Sequence, residues 1–186
     1  MKKLLLLTGD IAAGKTTFSN QLSQRYRCVV FQKDTVKELL SDRIGFETRQ
    51  QNKALSVAAV DMLCHAFSRI APAGQDLILE ANFHEDELQR LHSIARESQY
   101  KVLTLVLRGD VEVLYRRYLH RMNEENRHPA HLATTLHIQE DFAENARRLR
   151  AVRVPGSVLA IDATSFSYQT NPEVLRSIDA FMNENP

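Results

Sequence analysis

Short runs of apolar residues alternate along the chain with longer segments in which apolar residues recur every three or four positions. The short runs predict strands buried on both faces, and the longer segments predict amphipathic helices. Alternation of this kind is typical of a parallel sheet covered by helices. The predicted strands span residues 3–7, 28–31, 76–79, 101–107 and 157–161.

Helices are predicted in the intervals and after the last strand. The longest carries one apolar stripe and is closed by Pro72 and Gly74, whereas Asn171 followed by Pro172 is a typical start for the last helix. The polar segment 124–133 interrupts two helices and is interpreted as a surface loop. The predicted helices span residues 15–26, 47–70, 86–98, 111–123, 132–150 and 171–183.

Composition limits the classes of protein to consider. The chain has 186 residues, of which 44% are hydrophobic and 25% charged, so we expect one globular domain over residues 1–186. A net charge of +1 provides no global field for non-specific binding of nucleic acid or an anionic membrane. The two cysteines lie outside any zinc or disulfide spacing, and the apolar run Leu4 to Leu7 is too short for a signal or membrane segment. We therefore expect a cytoplasmic protein.

The sharpest motif follows the first predicted strand directly and precedes a helix. It reads Gly9-Asp10-Ile11-Ala12-Ala13-Gly14-Lys15-Thr16, a complete phosphate-binding loop (P-loop). Small residues in such a loop let successive backbone N–H groups converge on phosphate oxygens at the start of a helix. Lys15 would contact the terminal phosphates, and Thr16 would supply a hydroxyl ligand to Mg²⁺. The predicted nucleotide contacts are Gly9, Asp10, Ile11, Ala12, Ala13, Gly14, Lys15, Thr16 and Thr17.

Other motifs decide among the classes of P-loop protein. A GTPase should carry an NKxD motif, but the nearest match, Asn52-Lys53-Ala54-Leu55, lacks the aspartate and lies on a helical apolar pattern. A mechanical ATPase should end a buried strand with an Asp-Glu pair, and the nearest strand ends Glu80-Ala81-Asn82 instead. Neither class fits the sequence.

The chain resembles the P-loop kinases of small molecules and hydroxyl ends, which include gluconate and shikimate kinases, chloramphenicol phosphotransferase, zeta-type toxin kinases and polynucleotide kinase domains. The resemblance rests on the P-loop, residues 32–38, residues 80–82, and Arg117, Arg121 and Arg127. It implies a three-layer α/β P-loop NTPase fold of the kinase type, with a parallel five-stranded sheet and the P-loop strand in its centre.

Three candidate residues lie near the carboxyl ends of predicted strands, the edge where open α/β sheets bind ligands. Asp34 follows the second strand and would accept or orient the proton of an acceptor hydroxyl, although it could equally cap a helix. Glu80 and Asn82 follow the third strand and would bind acceptor hydroxyls or a water on Mg²⁺, unless they only cap the loop. Lys37, one helical turn beyond Asp34, would hold an anionic acceptor or lie on a solvated face. Residues 35–75 would form the acceptor-binding helical region.

Arg117 and Arg121 are spaced i, i+4 and therefore leave one face of their helix, and Arg127 follows in the polar segment. The resemblance implies that residues 124–133 form a lid and that these arginines stabilise charge during phosphoryl transfer. The alternative is a charged helix face that pairs with nearby glutamates.

The function predicted from the sequence is transfer of the γ-phosphoryl group of ATP, with Mg²⁺, to a hydroxyl of a small molecule. Two alternatives remain open at this point. The acceptor could be a nucleic-acid 5′-hydroxyl or a nucleotide sugar, because an end-binding pocket needs few phosphate contacts. The protein could also be a nucleotide-dependent binding module that hydrolyses ATP slowly and transfers nothing.

Overall fold

Five strands form one all-parallel sheet in the computed structural model of the chain, which describes residues 2–124, 127–132, 136 and 138–184. The strand order is β2-β3-β1-β4-β5, so the strand before the P-loop is central, and the predicted fold is confirmed. The bounds lie close to those predicted because all five strands are nearly continuous apolar runs, as expected for the three inner strands, which are largely buried on both faces. The strands are β1 Lys2–Gly9, β2 Val29–Gln32, β3 Leu77–Glu80, β4 Tyr100–Arg108 and β5 Ser157–Asp162.

Eight α-helices accompany the sheet in the described part of the chain. Two regions differ from the predicted helices: residues 33–44 form a helix that apolar periodicity does not predict, and the helix predicted over residues 132–150 begins at Gln139, after a separate short helix at residues 129–132. The helices are α1 Lys15–Tyr26, α2 Lys33–Ile44, α3 Arg49–Ile70, α4 Glu85–Glu97, α5 Val111–Glu124, α6 Pro129–Leu132, α7 Gln139–Arg150 and α8 Pro172–Asn183. Short 3₁₀ turns follow α3 at Ala71–Ala73 and β5 at Phe166–Gln169.

Helix α2, which apolar periodicity does not predict, has a polar inner face. Its buried residues are Lys37 and Ser41, whereas Leu39 and Ile44 are exposed. A helix that turns polar side chains inward gives no apolar stripe, so the periodicity that predicts the other helices fails here. The inward polar face already indicates that α2 borders a functional cavity rather than the core.

The sheet separates two apolar layers. Alternate residues of β1 enter opposite layers: Leu5 and Leu7 pack against α1, α5, α7 and α8, whereas Leu4 and Leu6 pack against α3 and α4. All four leucines are completely buried. Burial of each such side chain contributes about 1.5–3 kcal/mol of transfer free energy, so the central strand is firmly anchored in the core.

Helix α3 and its 3₁₀ extension, residues Arg49–Ala73, form the one helix in the described ranges that is long and apolar enough to cross a membrane by length and composition. Its buried residues include Leu55, Ala59, Leu63 and Phe67. Leu63 and Phe67 pack with the apolar residues of β1 and β3. Core packing accounts for the apolar character of this helix.

The register of the sheet brings the candidate site together. Gln32 at the end of β2, Glu80 at the end of β3 and Leu7 of β1 lie side by side. The residues that follow each strand, including the P-loop and Asp34, therefore emerge at one edge. Gly9 makes this possible, because its φ is +128° and a Cβ there would lie 2.0 Å from the carbonyl oxygen of Leu107.

Candidate active site

A cavity of about 920 Å³ opens at this edge of the sheet. It is lined by the P-loop, by the inner faces of α2 and α3, by the arginines of α5 and by part of the segment that precedes α7. The structure thus gathers most of the predicted site residues around one space. Those that line it are Ile11, Ala12, Ala13, Gly14, Lys15, Thr16, Thr17, Asp34, Lys37, Glu80, Asn82, Arg117, Arg121 and Arg127.

The second 3₁₀ turn, Phe166–Gln169, supports the P-loop through a hydrogen bond. Tyr168 donates its hydroxyl proton to the carbonyl of Ala13 at 2.8 Å. Gly14 has φ +85°, and a Cβ there would come within 2.9 Å of Tyr168 and Phe166. Because α1 starts directly at Lys15, the loop delivers unpaired N–H groups and the positive end of the helix to the cavity.

Lys15 lies buried on the inside of the loop. Its ammonium donates to the carbonyl of Asp10 at 2.7 Å and to that of Gly9 at 3.3 Å. Burial lowers the pKa of Lys15, although the negative charges of Glu80 and Asp34 oppose this shift. A cation held mainly by neutral carbonyls, in a buried position, is well suited to meet an anionic phosphate.

Gly9 and Asp10 are the two predicted nucleotide contacts that do not line the cavity. The Asp10 side chain is 1% exposed and forms an ion pair with Arg150 of α7 at 2.6 Å. It also accepts a hydrogen bond from the backbone N–H of Gly109 at 3.1 Å. The Asp10 side chain therefore fastens the base of the loop to α7, and the contact of Asp10 with a nucleotide stays a prediction.

Thr16 and Glu80 meet across the cavity floor. The Thr16 hydroxyl donates to a Glu80 carboxylate oxygen at 3.0 Å, and Glu80 is 5% exposed. Burial raises the pKa of Glu80, whereas the charge of Lys15 acts to lower it. Hydroxyl and carboxylate oxygens are the donors that Mg²⁺ prefers, so the pair fits a magnesium site. The described residues contain no cluster of three or more His, Cys, Asp or Glu suited to a metal, so such an ion would rely on phosphate and water for its other ligands.

Asp34 lies in the first turn of α2, at the cavity wall. The cap of this helix is Gln32, so Asp34 does not occupy the N-cap position that the sequence left open. Its carboxylate is 52% exposed and lies 3.8 Å from the Lys33 ammonium. Partial desolvation acts to raise the pKa of Asp34, but the positive charges around it, chiefly that of Lys33, lower the pKa overall. The carboxylate is therefore ionised at neutral pH and accessible to a ligand.

Helix α6 is docked onto α2 and α3. The carbonyl of Ala130, a completely buried residue, accepts hydrogen bonds from the Lys37 ammonium at 2.8 Å and from the Asn52 side-chain amide at 3.0 Å. His131 pairs with Glu38 at 2.7 Å. The interpretation of residues 124–133 as a surface loop is thus wrong for residues 129–132, which form α6, while residues 125, 126 and 133 lie outside the described ranges.

The three predicted lid arginines occupy different parts of the cavity wall. Arg117 donates to the carbonyls of Ala163 and Thr164 at 2.9 and 2.5 Å, and its guanidinium lies 4.0 Å from the ring centre of Phe166. The stacked side chains of Arg117 and Phe166 form a flat surface beside Gly14, near the segment after β5. Arg121 lies closer to Lys15, whose pKa its charge helps to lower. Their roles in charge stabilisation remain predictions.

Residues 4–145 of the sequence match a family model described as an AAA domain. The chain belongs to this AAA domain family. A comparison with curated proteins finds no significant match.

Solved structures place this AAA domain among P-loop kinases in fold. A protein of Chloroflexus aurantiacus J-10-fl described as a "putative kinase" is 26% identical, with a TM-score of 0.82 over 98% of this chain and 97% of that one. A sugar kinase of Janibacter sp. HTCC2649 is 16% identical, with a TM-score of 0.63 over 96% and 93%. A shikimate kinase of Aquifex aeolicus vf5 is 13% identical, with a TM-score of 0.60 over 98% and 99%. The resemblance to P-loop small-molecule kinases is confirmed.

The AAA domain also has cavity residues that sequence reasoning does not single out. One face of α3 contributes Arg49, Asn52, Lys53 and Ser56 to the cavity. These polar residues recur at positions i, i+3, i+4 and i+7, which is the period of a helix face. Because such a polar stripe usually faces solvent, only the position of α2 and α6 reveals that it faces a cavity.

Proposed function

We propose that the protein is an ATP- and Mg²⁺-dependent kinase that transfers the γ-phosphoryl group to a hydroxyl of a small-molecule acceptor. The observation that carries the proposal is the shared cavity: the P-loop and the accessible carboxylate of Asp34 border the same space, which extends to α2 and α3. The likeness in fold to solved kinases supports it further. A site for hydrolysis alone would not need the space between α2 and α3.

In the proposed reaction the acceptor oxygen forms a bond to the γ-phosphorus while the bond from that phosphorus to the bridging oxygen breaks. The electron pair of the broken bond leaves on ADP. The proton of the acceptor hydroxyl passes to the Asp34 carboxylate and from there to water. Lys15 and Arg121 balance the negative charge on the transferred group, and the N–H groups at the start of α1 hold the phosphates in line.

Thr16 would hold Mg²⁺ directly, and Glu80, hydrogen-bonded to Thr16, would orient that hydroxyl or a water on the ion. When bound, Mg²⁺ neutralises part of the phosphate charge. Helix α6 would contribute by covering Lys37 and Asn52, because a covered cavity keeps water from competing with the acceptor for the γ-phosphorus.

The test is ATP turnover with Mg²⁺ against a panel of acceptors: sugars, hydroxy acids, nucleosides, antibiotics and 5′-hydroxyl oligonucleotides. Lys15→Met serves as the background control for contaminating kinases. We expect one acceptor class to stimulate ADP release in step with formation of a phosphorylated product. Slow hydrolysis that no acceptor stimulates would instead favour a nucleotide-dependent binding module.

We expect Glu80→Gln to raise the Mg²⁺ concentration needed for half-maximal turnover by about tenfold or more, since partners of a metal ligand commonly tune affinity by about 10–100-fold. The measurement is a Mg²⁺ titration of turnover at fixed ATP. Glu97→Gln, which removes an exposed carboxylate at the end of α4, is the matched control and should titrate like the parent protein. Equal Mg²⁺ requirements in both variants would place Glu80 outside the metal site.

A further inference from the structure

The proposed reaction needs two helix starts at a fixed separation. Helix α1 begins at Lys15 and carries Thr16, which serve the phosphates, whereas α2 carries Asp34 in its first turn. A misplacement of the reacting groups by about 1 Å can cost about 100-fold in rate. The contacts that join α1 to the start of α2 therefore bear directly on the chemistry.

Gln32, the last residue of β2, turns its side chain toward α1. Its amide nitrogen Nε2 donates to Ser19 Oγ at 2.8 Å and to Asn20 Oδ1 at 2.9 Å. The same nitrogen lies 3.3 Å from the carbonyl oxygen of Thr16. Because a carbonyl oxygen only accepts hydrogen bonds, the nitrogen end of the amide is the end that faces α1. Gln32 is thereby bound to the first two turns of that helix.

The oxygen end of the same amide faces α2. Its Oε1 atom accepts a hydrogen bond from the hydroxyl of Thr35, the neighbour of Asp34, at 3.3 Å. Gln32 is also the N-cap residue of α2, yet its side chain forms no capping hydrogen bond with that helix. Within the described ranges, no other side chain connects α1 with α2 or its cap by a hydrogen bond or ion pair, apart from those bonded to Gln32. The amide therefore links two helices instead of capping one.

The link continues to the candidate magnesium site. Ser19 is completely buried, and its hydroxyl donates to the carbonyl of Thr16 at 3.0 Å. The hydroxyl of Thr16 in turn donates to Glu80 at 3.0 Å. Connected hydrogen bonds of this kind make their members more rigid than separate bonds do. One network thus runs from the floor of the cavity to the first turn of α2.

We propose that Gln32 is a positioning residue, whose amide holds the carboxylate of Asp34 at its working distance from the phosphates bound by the P-loop. The proposal rests on the kinase function proposed above and adds a residue to it. Gln32 itself does not line the cavity, so it acts through Asp34 and not on a ligand.

The first test is Gln32→Met, which keeps the length of the side chain and removes both ends of the link. We expect kcat for the phosphorylated product to fall by about tenfold to hundredfold, because the base is no longer held in place. The KM for the acceptor and the Kd for MgATP should change far less, since the residues that line the cavity are intact. Ser19→Ala removes one partner on α1 and should lower kcat by a smaller factor, because Asn20 still accepts from Gln32.

A second test distinguishes positioning of Asp34 from general support of the fold. In Asp34→Asn the base is already lost, so its position no longer affects the rate. Adding Gln32→Met to Asp34→Asn should therefore lower kcat little further. A general loosening of the site would instead multiply the two losses and would overturn the inference.

Gln24→Met is the matched control, because it removes an exposed glutamine from α1 at a position outside the cavity. It should keep the parent kcat, and thermal unfolding of each variant verifies that the fold is retained. An unchanged kcat in both Gln32→Met and Ser19→Ala would refute the role of Gln32 and leave the kinase function standing. If the parent protein phosphorylates no acceptor, the proposed kinase function fails and this inference fails with it.

Discussion

Asp34→Asn is expected to lower the rate of acceptor phosphorylation by about 10²–10⁴-fold, the usual range for loss of a general base. The amide keeps the shape of the carboxylate but cannot take the hydroxyl proton. The measurement is kcat for the phosphorylated product, alongside the Kd for MgATP, which should change far less. Asp86→Asn is the control, since it removes an exposed carboxylate from the first turn of another helix, α4, at a position outside the cavity.

The pH profile of the reaction adds a second readout for the same residue. Because the charges around Asp34, chiefly that of Lys33, hold its pKa below the ordinary value, the carboxylate stays ionised as the pH falls through the usual carboxyl range. Activity that depends on Asp34 should therefore persist to lower pH than an unperturbed aspartate allows. Lys33→Gln should move the acid limb of kcat/KM to higher pH. An acid limb that is the same in Lys33→Gln and the parent protein would assign it to another group.

Arg150→Ala is expected to destabilise the fold by about 3–5 kcal/mol, because it leaves the carboxylate of Asp10 buried without its counter-ion. For a chain of this size such a loss lowers the Tm by about 6–20 °C, at roughly 2–4 °C per kcal/mol. The measurement is thermal and urea unfolding of the unliganded protein. Arg148→Ala removes an exposed arginine that pairs with Glu144 on the same helix and should cost only about 0.3–0.5 kcal/mol.

A double variant separates the buried charge from general damage to α7. In Asp10→Asn/Arg150→Ala neither charge of this pair remains, so we expect part of the lost stability to return relative to Arg150→Ala alone. If Arg150→Ala unfolds no earlier than Arg148→Ala, the ion pair with Asp10 contributes nothing to the fold. The same comparison in MgATP would show whether the fastening of the loop also serves nucleotide binding.

The sheet is predictable from the sequence because its three inner strands are largely buried on both faces, as Leu4 to Leu7 show, and its two edge strands are still short apolar runs. The helices that fail the prediction do so for physical reasons. Helix α2 turns Lys37 and Ser41 inward and so has no apolar stripe. The short helix α6 forms within the segment predicted as a loop, and its position depends on hydrogen bonds from the distant residues Lys37 and Asn52 to Ala130.

The candidate site also contains residues that the sequence predicts and residues that it does not. The P-loop can be predicted from the sequence because phosphate binding requires a fixed local spacing of glycine, lysine and threonine. The environment of Asp10 cannot be predicted in this way, since its ion-pair partner Arg150 lies 140 residues away along the sequence. The cavity face of α3 is hidden for a similar reason: Arg49 and Lys53 resemble solvated residues until α2 and α6 are placed beside them.

The ion pair between Asp10 and Arg150 also bears on how the segment between α5 and α7 could be exchanged. It fixes the end of α7 to the base of the P-loop, and Arg117 fixes α5 to the carbonyls after β5. Both attachments lie outside residues 127–132. Segments from related kinases could therefore be grafted between these two anchors to change the acceptor, while the phosphate-binding half of the protein keeps its geometry.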